Sequence, residues 1–230
     1  MSPIELNIKD LSIGNDELLL DSINFDFKTS GLYVLSGING SGKSTLLKTI
    51  LGQHPIQNGN ILLNGQNIEH IPLKTLAKHM AYASAHIVQE HFITVENLIQ
   101  IGRSPFNNGW YKHVPNQLFN ELIEQLHLKN ILQKPLNAIS DGERQKANIA
   151  RALYQDTGLV LLDEPSAFLD YPSKAALFNY LSKIAIEKAK IIICSTHDLD
   201  IANRFSSLHL HISEKKLFFF QQAPTQHNSL

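Results

Sequence analysis

An α/β fold is expected, with a mostly parallel sheet and a helical insertion between about residues 85 and 155. Three observations predict it. First, Leu32–Leu35, Leu159–Leu162 and Ile191–Cys194 are short runs apolar at every position, which suits strands buried on both faces of a parallel sheet. Second, helical patterns follow the first run (Leu46–Leu51) and the second (Leu177, Leu181, Ile184). Third, the middle of the chain carries Leu118, Phe119, Leu122, Ile123 and Leu126 on one helical face, with Pro135 shortly beyond.

The elements before the first buried run read as short strands. Glu5–Lys9 alternates polar and apolar residues, and Ser22–Phe27 does so strictly. Ile61–Leu63, bracketed by Asn58-Gly59 and Asn64-Gly65, reads as a strand between two tight turns. No stretch rich in Pro, Gly or Ser marks a linker, so residues 4–230 are expected to form a single domain.

Composition narrows the function classes. The 230 residues hold 20 Lys+Arg against 21 Asp+Glu, a formal net charge of −1, which argues against a nucleic-acid partner held by phosphate neutralisation. Hydrophobic residues make up 43%, enough for a sizeable core. The lone cysteine, Cys194, allows no internal disulfide, which suits a reducing cytoplasm. Met1–Glu5 lacks the order of a signal peptide, and no run reaches the ~20 apolar residues of a membrane span. Any action at a membrane is therefore expected to go through another chain, without direct insertion.

Chemistry enters after the first buried strand, at Gly37-Ile38-Asn39-Gly40-Ser41-Gly42-Lys43-Ser44-Thr45, followed by helix-compatible Leu46–Leu51. A glycine-rich loop between strand and helix lets successive backbone N–H groups point at phosphate oxygens, and the positive end of the helix dipole adds to that field. Lys43 would reach the β- and γ-phosphates, and the Ser44 hydroxyl would ligate Mg²⁺.

The second buried strand ends in Asp163-Glu164, at the edge where α/β sheets bind ligands. Adjacent side chains point differently, so two roles are natural: Asp163 for the Mg²⁺ shell, Glu164 facing the γ-phosphate to orient or deprotonate water. The third strand ends in Ser195-Thr196-His197, placing an imidazole where it would hold the γ-phosphate and the attacking water. Ser140-Asp141-Gly142-Glu143 reads as a capping box opening a helix through about Tyr154. A capped helix start is also an anion site, so the chain offers two cradles where one nucleotide needs one.

Together these motifs resemble the ATP-binding subunit of an ABC transporter, from about Leu6 to at least Ile212. Gly37–Thr45 is similar to Walker A, Leu159–Glu164 to Walker B, Ser140–Gln145 to the ABC signature, Ser166–Asp170 to the D-loop, and His197 falls at the switch histidine. The resemblance implies a P-loop NTPase core with an N-terminal antiparallel β subdomain and a helical signature subdomain. It implies a head-to-tail homodimer in which each ATP lies between Walker A of one subunit and Ser140 and Gly142 of the other, with Asp170 also at the nucleotide. It further implies coupling to transmembrane permease subunits, with a substrate-binding protein in the full system, at the cytoplasmic face of the membrane. Thr94–Ile99 with Ile101–Phe106, and Asp198–Ala202, are similar to ATPases that power import of iron–siderophore complexes, haem or cobalamin. Phe106, Trp110 and Tyr111 form either part of a permease dock or a local aromatic cluster.

The sequence departs from the family pattern twice. Asn15 stands where an aromatic residue stacks on adenine, and Ala85 where a glutamine touches Mg²⁺, with His86 and Gln89 the nearest polar residues. Two other readings remain open here: an ABC-type ATPase outside transport, and a regulatory nucleotide-binding module of low turnover.

Overall fold

In the computed structural model the described residues are 4–85, 93–107, 116–206 and 208–221. They form two sheets. The first is antiparallel, in the order β2-β1-β4-β5, from β1 (Leu6–Gly14), β2 (Leu18–Phe27), β4 (Asn58–Leu63) and β5 (Gln66–Asn67). The second has the order β10-β9-β3-β8-β7-β6, from β3 (Gly31–Gly37), β6 (Met80–Ser84), β7 (Leu159–Asp163), β8 (Ile191–Ser195), β9 (Leu208–Ser213) and β10 (Lys216–Gln221). All its pairs are parallel except the β9–β10 hairpin at one edge.

The three apolar runs became β3, β8 and β7, and their alternation sorts two cores. Tyr33, Leu35, Leu159, Leu161, Ile191 and Ile193 face a layer shared with the antiparallel sheet and α1 (Lys43–Ile50). Leu32, Val34, Val160, Leu162, Ile192 and Cys194 face the helical layer. That layer includes α3 (Val95–Ile101), α4 (Gln117–Gln125), α5 (Asp141–Tyr154), α6 (Tyr171–Glu187) and α7 (Leu199–Phe205). The short α2 (Leu73–Leu76) follows β5. Period-two strands between two apolar layers leave no solvated face, which explains why these runs show no polar positions.

One expectation is corrected. Asn64-Gly65 does turn between β4 and β5, with both residues at positive φ, but Asn58-Gly59 is the start of β4 and not a turn. Gly59 has φ +81°, and a Cβ there would lie 2.3 Å from the carbonyl oxygens of Lys9 and Asp10. The register of β1 against β4 shifts at this point, and Asp10 itself has φ +46°. The glycine therefore accommodates a bulge in the neighbouring strand.

β6 is an edge strand, and its outward carbonyls are covered by side chains of α5. Asn148 donates to Ser84 O at 2.9 Å, Arg151 to Tyr82 O at 2.6 Å and Gln155, just past the helix, to Met80 O at 2.8 Å. Helix positions i, i+3 and i+7 thus meet alternate strand residues in antiparallel order. Arg151→Leu should leave the Tyr82 carbonyl without this partner and lower the unfolding free energy by about 1–3 kcal/mol in urea titrations; an unchanged midpoint would show that the edge needs no such cover.

Candidate functional site

The phosphate loop follows β3 directly, and α1 starts with no side-chain cap: its N-cap, Gly42, sits at φ +102°. The first turn therefore presents backbone donors to any anion above it. Lys43 is buried, and its ammonium donates to Gly37 O at 2.8 Å and Ile38 O at 3.1 Å. Burial pushes its pKa down, against the nearby carboxylates of Glu164 and Asp163, which raise it. Ser41 Oγ is buried with no hydrogen-bond partner in the same loop, while Ile38, Asn39, Gly40 and Ser44 are exposed. An uncapped helix start, an orphaned hydroxyl and an ammonium resting on loop carbonyls make a site whose donors fit a polyphosphate.

Asp163 closes β7, and Glu164 follows at φ +51°, a left-handed turn that swings its side chain away from the strand. The carboxylate of Asp163 accepts from Ser195 Oγ at 2.6 Å and from the Tyr82 hydroxyl at 3.3 Å. Burial and the Asp163 charge push the Tyr82 pKa up to about 12. Ser195 Oγ also accepts the Glu164 backbone N–H at 3.0 Å, so one buried hydroxyl holds both members of the acidic pair. The Glu164 carboxyl titrates above its usual range, mainly through burial, against the opposing pull of His197 and Lys43. His197 Nε2 stands 3.1 Å from Glu164 Oε1. Lys43, Asp163, Glu164 and His197, taken from three different strand ends, are thus brought together.

The second cradle lies elsewhere. Ser140 caps α5 in a complete capping box: Glu143 N–H donates to Ser140 Oγ at 3.2 Å, and Ser140 N–H to Glu143 Oε2 at 2.9 Å. Those bonds hold the Glu143 carboxyl below its usual range. Gly142 abuts the following loop, since a Cβ there would come 2.8 Å from Phe168 O. Gln145 is fully buried, with its Nε2 3.5 Å from Glu164 O. Asp170 caps α6, accepting Ser173 N–H at 3.1 Å. This start of α5 is thus a second helix N-terminus besides that of α1, and it reaches the Glu164 segment through Gln145.

At the two departures, Asn15 Oδ1 bonds His54 Nε2 at 2.9 Å, and Ala85 N–H donates to Asp163 O at 3.1 Å, extending the β6–β7 pairing by one residue. His86 and Gln89, like Trp110 and Tyr111, lie outside the described residues. Phe106 lies under the Arg103 guanidinium, 4.7 Å from its ring centre, so this ring is engaged locally. Sequence reading missed Ser195 and Tyr82. Their only signal was a polar residue ending an apolar strand and a tyrosine two residues ahead of another strand's end.

The chain matches the family described as "ABC transporter" over residues 20–167. It is 34% identical to an uncharacterized ABC transporter ATP-binding protein of Methanocaldococcus jannaschii, over 94% of this chain and 75% of that one. It is 32% identical to the iron(3+)-hydroxamate import ATP-binding protein of Bacillus subtilis, over 92% and 79%. A solved ATP-binding subunit of an ABC transporter superposes with a TM-score of 0.80 at 25% identity, over 94% of this chain and 89% of that one.

The raised proton affinity of Glu164 has a stability consequence. A carboxyl whose folded pKa exceeds its unfolded one binds more protons when folded, so stability falls as pH rises through that interval. Glu164→Gln should therefore melt higher than the parent chain at pH 8, with the gap closing as pH approaches 4.5. Equal melting temperatures at pH 8 would show that the ionised carboxylate is fully compensated in place.

Proposed function

The chain belongs to the ABC transporter ATP-binding family and is an ATPase, and on that premise we propose that it is the motor subunit of an importer, hydrolysing ATP in a head-to-tail homodimer. The observation that carries this reading is the convergence of Lys43, Glu164 and His197 from the ends of β3, β7 and β8, with 3.1 Å between the last two.

In the proposed mechanism the backbone donors of residues 37–45 and the Lys43 ammonium bind the β- and γ-phosphates. Ser44 and Asp163 would hold Mg²⁺, which when bound neutralises charge developing on the phosphate oxygens. Glu164 accepts the proton of the attacking water as it adds to the γ-phosphorus and the bond to ADP breaks. Its raised pKa makes it a stronger base than an exposed glutamate. His197 orients the water and the γ-phosphate.

A second helix start, capped at Ser140, where one nucleotide needs only the start of α1 supports assigning Ser140 and Gly142 to the nucleotide of a second copy, with Asp170 beside it. Ile38, Phe168 and Tyr171, at 79%, 65% and 55% exposed, put apolar surface beside both cradles, as a closing interface needs. No helix among the described residues is long and apolar enough to cross a membrane. A groove of about 450 Å³ lined by Leu51, Leu73, Leu76, Tyr82, Ile101 and Pro105 is a fitting seat for a permease segment. On this reading the chain is peripheral to the cytoplasmic face, held there by the permease, with a substrate-binding protein completing the system. The likeness to the iron(3+)-hydroxamate import protein, with a hemin import ATP-binding protein of Hahella chejuensis at the same 32% identity, supports an iron chelate or haem as cargo.

Glu164→Gln should bind ATP and stall, so that ATP with Mg²⁺ shifts it to a dimer on size-exclusion chromatography; near-normal phosphate release by this variant would remove Glu164 from the role. Mixing Lys43→Ala with Ser140→Arg subunits should restore one intact site per heterodimer, because the other site collects both lesions. Dual-tagged mixed dimers that bind no interfacial ATP would overturn the head-to-tail arrangement.

A further inference from the structure

His197 is half exposed, and its imidazole faces Glu164 across 3.1 Å. Such a side chain is placed by its flanks, and both flanks are tied down. On one side Thr196 N–H donates to Leu35 O at 3.2 Å, anchoring the loop to β3. On the other side stands Asp198, the N-cap residue of α7, and its carboxylate does not cap that helix. It is turned back instead, accepting from Ser166 Oγ at 2.6 Å and from the Lys174 ammonium at 2.7 Å. An aspartate ordinarily serves its own helix start, so this one has been diverted to two partners from another part of the chain.

Those partners belong to the segment that carries Glu164. Ser166 is fully buried two residues after Glu164, and Ala167 N–H closes the turn onto Glu164 O at 3.1 Å. Lys174 sits in the first turn of α6, just beyond Asp170. Thr196 Oγ1 completes the knot, accepting Asp198 N–H at 3.0 Å and lying 3.3 Å from Ser166 Oγ. Burial alone would raise the Asp198 pKa, yet Lys174 and Ser166 hold it below the usual carboxylate range. Its charge is therefore present at neutral pH, and both bonds are of the short, charge-assisted kind.

We propose that Asp198 and Lys174 are positioning residues for ATP hydrolysis: their ion pair, with Ser166, staples the loop bearing His197 to the loop bearing Glu164 and sets the spacing of those two side chains. The inference rests on the roles proposed above for Glu164 and His197. Neither positioning residue is placed at the nucleotide, so losing the staple should slow turnover without weakening binding.

The test is steady-state ATPase kinetics on the full chain, with ATP affinity by calorimetry and thermal melting on the same samples. Lys174→Met should lower kcat roughly ten- to hundredfold, as expected when reacting groups lose their alignment. Its KM and Kd for ATP should stay within about twofold, and Lys174→Arg, which keeps the charge, should recover most of the rate. Asp198→Asn, isosteric and able to keep the Ser166 bond, should show the same split and serves if Lys174→Met does not fold. A Lys174→Met chain that melts earlier yet turns over within twofold of the parent overturns the staple, provided His197→Ala is inactive. If His197→Ala itself keeps the parent rate, the functional reading of the histidine fails, and the staple with it.

Discussion

Parallel pairing of β3, β8 and β7 is the constraint on which the site depends, because it brings three strand ends to one edge of the sheet. Leu35 pairs with Ser195 and Ser195 with Asp163, so β8 and β7 leave the sheet at one height while β3 runs two residues further along β9. The side chains that follow then meet above a common edge. Within that frame the Ser195 hydroxyl does the fine setting: it donates to the Asp163 carboxylate and accepts the Glu164 backbone N–H. Both bonds are made where exclusion of water strengthens them. The left-handed backbone of Glu164 is the local cost of turning the second carboxylate away from the first, and strain of this kind persists only where surrounding bonds enforce it.

The far edge of the sheet is governed by a second match, between helix and strand periods. Successive carbonyls on one side of β6 recur every ~6.7 Å, while α5 advances about 4.5 Å over three residues and about 6 Å over four. Rigid side chains could not stay in step over three contacts. The long arm of Arg151, between the shorter Asn148 and the helix-terminal Gln155, absorbs the difference. The edge is covered, and the helix starting at Ser140 is fixed in direction by the same bonds. Stability of the sheet and placement of the second cradle thus share one set of residues.

The parts legible in the sequence were those written as contiguous pattern: the loop from Gly37 to Thr45, the three apolar runs, the capping box at Ser140 and the helical stripe at Leu118–Leu126. Less legible was what depends on which strands become neighbours. Ser195, Tyr82 and Asp198 look like ordinary polar residues at element ends, and their importance appears only when β8 is seen between β3 and β7. Asn58-Gly59 misled because a glycine at positive φ serves a turn and a bulge equally well, and only the partner strand decides between them. β9 was legible and passed over, since Leu208, Leu210 and Ile212 alternate strictly with His209 and His211, whereas Phe218–Phe220 in β10 is a run of exposed rings without alternation.

Charge placement gives the site its direction. Burial shifts Lys43 and Glu164 towards their neutral forms, opposed at Glu164 by His197 and Lys43 and at Lys43 by Glu164 and Asp163. A polyphosphate arriving over α1 changes that balance unevenly. On the proposed binding mode it would draw the Lys43 ammonium from the carbonyls of Gly37 and Ile38, replacing neutral acceptors with anionic ones, which strengthens the bond. At the same time it would add negative charge near Glu164 and take up part of the Lys43 field that favoured the ionised carboxylate. On the roles proposed above, the phosphates and the Mg²⁺ that would accompany them act on Glu164 with opposite signs, so the burial already present keeps its proton affinity raised, the direction a general base requires. On that reading the base is set before substrate arrives, and the residues that hold His197 in line become the remaining control on the rate.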